Sequence, residues 1–289
     1  MSKRKSIYFF LAIIFIFGLI FFRINVYVES HKLQVAFLDV GQGDAILISE
    51  GGKQILIDGG PSGQKLLEKL GEYVPFWDRK IDIVIATHPD ADHITGLVDV
   101  LKNYAVDEVI ESGAESQSQV FKAMEKIIED KKIEKQIARQ GMNMKISTDT
   151  ELKILGPSEM DTKNSKDTNS ASIVARLSFG KNSFLFTGDL PMEVETRMLK
   201  NNLFSAINIL KISHHGSRFA TSGQFLGITN PQDAIISVGK GNRYGHPANE
   251  VLDRLRERKI NILRTDDLGD VVYGCDNIKN ECKTGTINY

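Results

Sequence analysis

The sequence predicts an α/β fold in which two β-sheets pack face to face under outer helices, an αββα sandwich, entered through an N-terminal transmembrane helix. Three observations carry this. Strand-like runs rich in Val and Ile come in two batches with amphipathic helical stretches between and after them, which suits two helix-covered sheets better than one parallel sheet. Residues 7–22 hold only apolar, aromatic and Gly positions, behind a Lys3-Arg4-Lys5 cluster and ahead of Arg23. Beyond them no composition break divides the 289-residue chain, so one globular domain is expected.

The apolar run is sixteen residues long, short of the roughly 20 that a span uses. Residues 24–28 extend it and no small-x-small cleavage site follows, so it reads as an uncleaved anchor in preference to a signal peptide. The division is 1–28, anchor and flanks, and 29–289, globular domain. The positive-inside bias leaves the N-terminus in the cytoplasm and places the domain on the extracytoplasmic face of the cell membrane. Formal charge is −1; three of the cations are Lys3, Arg4 and Lys5, so the remainder carries about −4. That is not the basic footprint usual for nucleic-acid binders.

The first strands are expected at 33–38, 45–48, 54–57 and 81–86, with helices at 65–73, 97–103 and 117–132. The second batch covers 151–155, 172–179, 183–187, 208–212 and 234–238, with helices at 191–200 and 248–258. Residues 161–170 are polar and aperiodic, which predicts a mobile loop near the site with Asn169 at its end. Cys275 and Cys282 are the only cysteines; their spacing suits a small disulfide loop in an oxidising compartment and equally two free thiols. No Cys-x-x-Cys pattern exists, which argues against a cysteine zinc site.

The chemistry concentrates in Thr87-His88-Pro89-Asp90-Ala91-Asp92-His93, directly after the strand 81–86. His88, Asp90, Asp92 and His93 converging on one turn would repel or desolvate one another unless a cation neutralised them, so a metal is expected there; a solvated polar loop is the bland alternative. Asp39, Gln42 and Asp44 lie in a Gly-interrupted turn after the first strand, capping it or bordering the site. Asp58 ends a strand at a Gly-Gly turn, where it is expected to orient the metal loop through backbone amides. Asp189 follows a strand in Thr187-Gly188-Asp189. If the strand from 208 continues, His214 and His215 point to opposite faces, one a ligand and the other bonded to a carboxylate or acting as a general acid. Lys211 either neutralises a phosphate or is a strand-edge lysine. His246 sits in a Gly-His-Pro turn, where a surface histidine is the bland reading.

The segment Thr87 to His93 resembles the second motif of the metallo-β-lactamase superfamily, His-x-His-x-Asp-His, with Asp90 in the second histidine position. Together with Leu38-Asp39-Val40-Gly41-Gln42-Gly43-Asp44, Leu56-Ile57-Asp58-Gly59-Gly60, Thr187-Gly188-Asp189, Lys211-Ile212-Ser213-His214-His215-Gly216-Ser217, Tyr244-Gly245-His246-Pro247 and Arg264-Thr265-Asp266, it is similar to the C-terminal extracytoplasmic hydrolase domain of ComEC-like DNA-uptake proteins and their standalone relatives. The resemblance covers residues 33–272 and implies the metallo-β-lactamase fold with two divalent metal ions, Zn²⁺ or Mn²⁺. It would place His88 and Asp90 on one metal, Asp92 and His93 on the other, Asp189 on both, and His214 as a further ligand. Asp92, His215 and His246 would be catalytic. Many members carry another histidine between the second motif and the later aspartate; here none lies between His93 and His214, and Asn169, Ser170 or Ser172 falls in its place. Oxygen ligands imply a looser first site and shift the preference from zinc towards manganese.

The resemblance favours a phosphodiesterase acting on DNA, single-stranded DNA included, with a separate membrane channel as partner. A cell-surface phosphoester such as phosphorylcholine on teichoic acid is the alternative substrate. A non-catalytic binding protein with a degraded metal site is the alternative from another class.

Overall fold

The structure, a computed structural model, describes residues 15, 17, 18, 32–163 and 167–287. The expected anchor therefore lies almost wholly outside the described residues, among which no helix is long and apolar enough to cross a membrane. The domain is the expected sandwich. One sheet has eight strands, in the order β15-β14-β1-β2-β3-β4-β5-β6. Its strands are β1 (Leu33–Phe37), β2 (Ile46–Glu50), β3 (Lys53–Ile57), β4 (Lys80–Ala86), β5 (Ala105–Glu111), β6 (Glu134–Ile137), β14 (Asp270–Cys275) and β15 (Lys283–Ile287). The other has seven, β13-β12-β11-β10-β9-β8-β7. These are β7 (Asn143–Lys145), β8 (Thr150–Gly156), β9 (Val174–Phe179), β10 (Asn182–Phe186), β11 (Ile209–Lys211), β12 (Asp233–Ile236) and β13 (Asn261–Arg264).

Both faces of the central strands are buried, which is why they read as near-continuous apolar runs. Val35, Phe37, Ile55 and Ile57 point between the sheets and meet Leu177, Phe184 and Phe186; the alternate residues Ala36, Leu38 and Leu56 point to the helices. On that outer face lie α1 (Gly63–Tyr73), α2 (Ala91–Asn103) and α3 (Gln119–Lys131). The hydroxyls of Ser62 and Ser118 cap α1 and α3 by accepting from the Lys65 and Phe121 amides. Residues 161–170 are not a plain loop: α4 (Glu159–Lys163) and a 3₁₀ turn, Thr168–Ala171, bracket them, and the Thr168 hydroxyl donates to Asp90 Oδ1 at 2.5 Å. The second sheet is covered by α5 (Met192–Lys200), α6 (Gly223–Thr229) and α7 (Asn249–Glu257).

Strand direction places the site. β1 and β2 are antiparallel, β2 and β3 are antiparallel, and β3 to β6 run parallel, as do β10 to β13. The C-terminal ends of β1, β3 and β4 therefore meet those of β10 and β11 at one edge of the sandwich. At the other edge Cys275 and Cys282 form a disulfide, so of the two readings of these cysteines the bonded one holds. The loop it closes is held by Asn182, whose Nδ2 donates to Asn280 O and whose Oδ1 accepts from the Cys282 amide.

Candidate metal centre

Five elements deliver the site, β3, β4 and α2 from the first sheet's side and β10 and β11 from the second. β4 runs through Thr87 into His88, Asp90 is the residue before α2, and Asp92 and His93 lie in the first turn of α2. Asp58, just after β3 and fully buried, is the organiser. It accepts from the Thr87 amide at 2.8 Å, the Thr87 hydroxyl at 2.6 Å and His93 Nδ1 at 2.8 Å. Because a carboxylate only accepts, His93 carries its proton on Nδ1 and its Nε2 lone pair is left free. The Thr87 hydroxyl spends its hydrogen on Asp58, so it accepts from His88 Nδ1 at 3.0 Å, and His88 Nε2 is likewise free.

The second sheet answers with Asp189 and His215. Asp189 ends the turn after β10, its amide donating to Ser172 Oγ at 3.2 Å. His215 Nδ1 donates to the Ser237 carbonyl at 2.9 Å, which again frees Nε2. The strand does not continue through the histidines: β11 stops at Lys211, and His214 and His215 both adopt left-handed backbone, with φ of 51° and 54°. Alternation therefore does not apply, and both rings face Asp189, His214 Nε2 at 3.7 Å and His215 Nε2 at 3.6 Å. They differ in burial, His214 being a third exposed and His215 enclosed.

Asp189 is the hub. Its carboxylate lies 3.3 Å from His93 Nε2 and 3.9 Å from His88 Nε2, and His215 Nε2 lies 3.5 Å from Asp92. Yet His88 Nε2, His93 Nε2, His215 Nε2, Asp189 Oδ1 and Asp44 Oδ1 are buried with no hydrogen-bond partner among the described residues. Orphaned buried polar atoms are costly, and five of them aimed at a common space fit cations they would coordinate. His88, His93 and Asp189 form one group of ligand atoms within 4.8 Å of one another, and Asp92, His93 and His215 another.

The electrostatics agree. Burial, then the neighbouring His93, drives His88 down to about 4. Burial opposes charge on His215, but Asp189 and Asp44 outweigh it and hold the ring up at about 9; His93 is raised by Asp189 and Asp58 against the same opposition. Burial opposes ionisation of Asp92 and Asp189, yet the histidines hold both carboxyls well below their ordinary range. The carboxylates thus require positive charge at this point, from imidazolium protons or from cations on the same Nε2 atoms.

A cavity of about 130 Å³ opens over the cluster, lined by Gln42, Asp90, Asp92, Asp189, His214, His215, Tyr244 and His246. His246 Nδ1 is buried and unpartnered, and burial, then His214, lowers its pKa. The Tyr244 ring is half exposed, stacks beside His246 at 6.0 Å and lies under the Arg243 guanidinium at 5.1 Å.

Most of the residues singled out in the sequence meet here, with two departures. Lys211 is neither a strand-edge lysine nor open to substrate: β11 lies between β10 and β12, and the ammonium is fully buried 2.5 Å from Asp44 Oδ2. Asp39 turns away, accepting from the Gly41 amide and from Lys65 at 3.3 Å. Asp90 reaches within 3.8 Å of His88 Nε2, Gln42 borders the cavity through a side chain whose Oε1 accepts from the Gly239 amide, and Asn169 Oδ1 is buried without a partner. Sequence reasoning missed Thr87, Ser237 and Tyr244, and placed Ser172 only as an alternative oxygen ligand, whereas its Oγ accepts from the Asp189 amide. Of those missed only Thr87, a hydroxyl between a strand and a ligand histidine, left a readable signal.

Residues 38–240 match the family described as the metallo-beta-lactamase superfamily. The chain is 33% identical over 264 residues to ComE operon protein 3 of Bacillus subtilis (strain 168), covering 84% of this chain and 33% of that protein. It is 32% identical over 243 residues to Recombination protein 2 of Haemophilus influenzae, covering 82% and 28%. It thus spans about a third of the length of these curated relatives. Among solved structures it is similar in fold to Igni18, a novel metallo hydrolase from the archaeon Ignicoccus hospitalis, with 14% identity, a TM-score of 0.54, and coverage of 83% of this chain and 98% of that one.

Proposed function

The chain belongs to the metallo-beta-lactamase superfamily, and from that premise we propose that it is a membrane-anchored, metal-dependent phosphodiesterase whose domain, residues 29–289, faces the extracytoplasmic side and cleaves DNA. The observation that supports this best is the set of buried, unpartnered Nε2 and carboxylate atoms around Asp189. Two divalent cations would fit it, one that His88, His93 and Asp189 would hold and one beside His215 Nε2, which lies 3.5 Å from Asp92 and 3.6 Å from Asp189, with Asp90 and Asp44 nearby. In this reading His215, anchored through Ser237 and enclosed, is the ligand in preference to His214 at the rim. When bound, such cations supply Lewis acidity to a phosphoryl group and acidify water. The oxygen-rich set inclines towards Mn²⁺ over Zn²⁺.

The chain's own residues supply the rest. Asp58 and Thr87 fix the tautomers that aim the imidazoles. His246, neutral because its pKa is depressed, faces the cavity as a base placed to accept a proton from an attacking water. Tyr244 under Arg243 offers a face for a nucleobase and a cation for a phosphate, which suits single-stranded DNA. The resemblance of the sequence motifs to the hydrolase domain of ComEC-like DNA-uptake proteins supports DNA as substrate, with a separate membrane channel acting alongside. The apolar run 7–22 supports anchoring. The acidic charge of the remainder, about −4, favours a cell-surface phosphoester such as phosphorylcholine on teichoic acid as the second reading.

The test uses the full chain in detergent with Mn²⁺ or Zn²⁺, an aryl phosphodiester and single-stranded DNA, comparing wild type with Asp92→Ala and Tyr244→Ala. Metal-dependent cleavage lost in Asp92→Ala is expected, with KM for DNA alone rising about tenfold in Tyr244→Ala. No cleavage of either substrate with any divalent metal would overturn the reading.

A further inference from the structure

We propose that the edge of the sandwich opposite the metal centre is a membrane-seating surface, with Phe76 and Trp77 inserted at the headgroup boundary of the bilayer. The inference rests on the anchor reading of residues 1–28. Strand direction sets the geometry. The N-terminal ends of β1, β3, β4 and β5 and the C-terminal ends of β2 and β14 share one edge, because β1 is antiparallel to β2 and β14 and parallel in sense to β3, β4 and β5. β4 starts at this edge and ends at Ala86, two residues before His88, so its seven residues hold the metal centre about 23 Å away from it.

At this edge, in the connection from α1 to β4, Phe76 and Trp77 are 80% and 75% exposed and rest on each other edge to face at 4.8 Å. The loop is not loose chain. Val74 beneath it is buried in the helix-side core, and the Asp78 amide closes a turn on the Pro75 carbonyl at 2.8 Å. A built turn therefore presents two large aromatic rings to solvent, an arrangement soluble surfaces avoid and membrane interfaces favour. Ile278, in the disulfide-closed loop of the same edge, adds a third exposed apolar side chain. Basic and acidic groups are both present around them, with Arg79 exposed two residues after Trp77 and Lys80 paired to Asp82 and Asp107, so the surface is matched to the lipid interface itself and not to a particular headgroup charge.

The chain outside the domain argues for the same occupant. β1 begins at Leu33, at this edge, and only the nine residues 23–31 separate the apolar run from Lys32. Fully extended they reach about 30 Å, and less if 24–28 continue the span. In the sheet β4 is three strands from β1, a lateral offset of about 14 Å. A tether this short, entering the edge that carries the aromatic pair, holds the pair at the bilayer and turns the metal centre away from it.

Trp77 is the sole tryptophan and so its own reporter. Full-length protein is reconstituted into phosphatidylcholine vesicles with plain or brominated acyl chains, floated, and its tryptophan emission recorded. Loss of most of the emission in brominated vesicles, with a blue shift in plain ones, is expected, and Phe76→Asp should restore the emission. Protein that floats with the vesicles but emits equally in both, or Phe76→Asp quenched as strongly as wild type, overturns the seating while leaving the anchor in place. Protein that does not float overturns the anchor reading, and the seating with it.

Discussion

Lys211 and Asp44 form an ion pair with side chains 0% and 2% exposed and charged atoms 2.5 Å apart. Lys211→Met keeps the apolar stem and removes the charge. Asp44 is then left with His215 Nδ1 at 3.4 Å, and the bond from the ammonium to Gly188 O at 3.3 Å is lost. Burial alone would push the Asp44 carboxyl up; Lys211, followed by His215, holds it down, so the lysine is what keeps this anion charged inside the fold. Breaking one partner of a buried pair costs about 3–5 kcal/mol, which for a domain of this size lowers the melting temperature by about 6–20 °C. Lys211→Met combined with Asp44→Leu removes both charges and should recover most of that loss. The assay is thermal unfolding in chelator, so that metal does not contribute, with denaturant midpoints as a check. A single variant within about 1 kcal/mol of wild type, or a double variant no more stable than the single, would refute the reasoning.

Gly43 has φ of +117° and a Cβ there would lie 2.0 Å from the Asp92 carbonyl, so Gly43→Ala strains the backbone by about 1–3 kcal/mol and displaces the first turn of α2. Hydrolysis should fall far more than in Gly41→Ala, where φ is +86° but nothing lies within 4 Å; equal kcat losses in the two would contradict this. Glu111 is pushed up to about 8 by burial, then by Glu125, against the pull of Lys135. Its folded pKa exceeds the unfolded one, so its contribution is full below about pH 4.5 and is lost as pH rises through about 8. Glu111→Gln should flatten that decline in urea unfolding stepped across pH, and an unchanged slope would count against it. Cys275→Ser with Cys282→Ser opens the loop held on Asn182 and should lower stability by about 2–3 kcal/mol. Denaturant midpoints in oxidised and reduced wild type provide the comparison, and no difference between them would contradict the expectation.

The sandwich was legible because strands buried on both faces are written as apolar runs, and β1, β3, β4, β9 and β10 all fall within two residues of where periodicity puts them. β5, β6, β7, β13, β14 and β15 were not read. β5 breaks its apolar run with the adjacent Asp107 and Glu108, and β6 is mostly charged or polar, so each owes its conformation to a neighbouring strand and not to its own pattern. α2 was expected only from 97, since its first turn is occupied by the acidic and imidazole groups of the motif; the structure starts it at Ala91. The ligand residues were legible as a cluster because chemistry at a strand end needs local spacing. What escaped was orientation. The role of Asp58 as a triple acceptor, the left-handed backbone at His214 and His215, and the burial of Lys211 all depend on contacts between segments far apart in sequence.

The decisive measurement is metal content. Full-length wild type and Asp189→Ala are loaded with Mn²⁺ or Zn²⁺, dialysed against metal-free buffer and analysed for bound metal, with a melting curve to show that each is folded. The predicted result is about two ions per wild-type chain and loss of most of that metal in a folded Asp189→Ala. A folded wild type that retains none, or an Asp189→Ala variant that keeps the full complement, would contradict a centre built on the unpartnered atoms around Asp189.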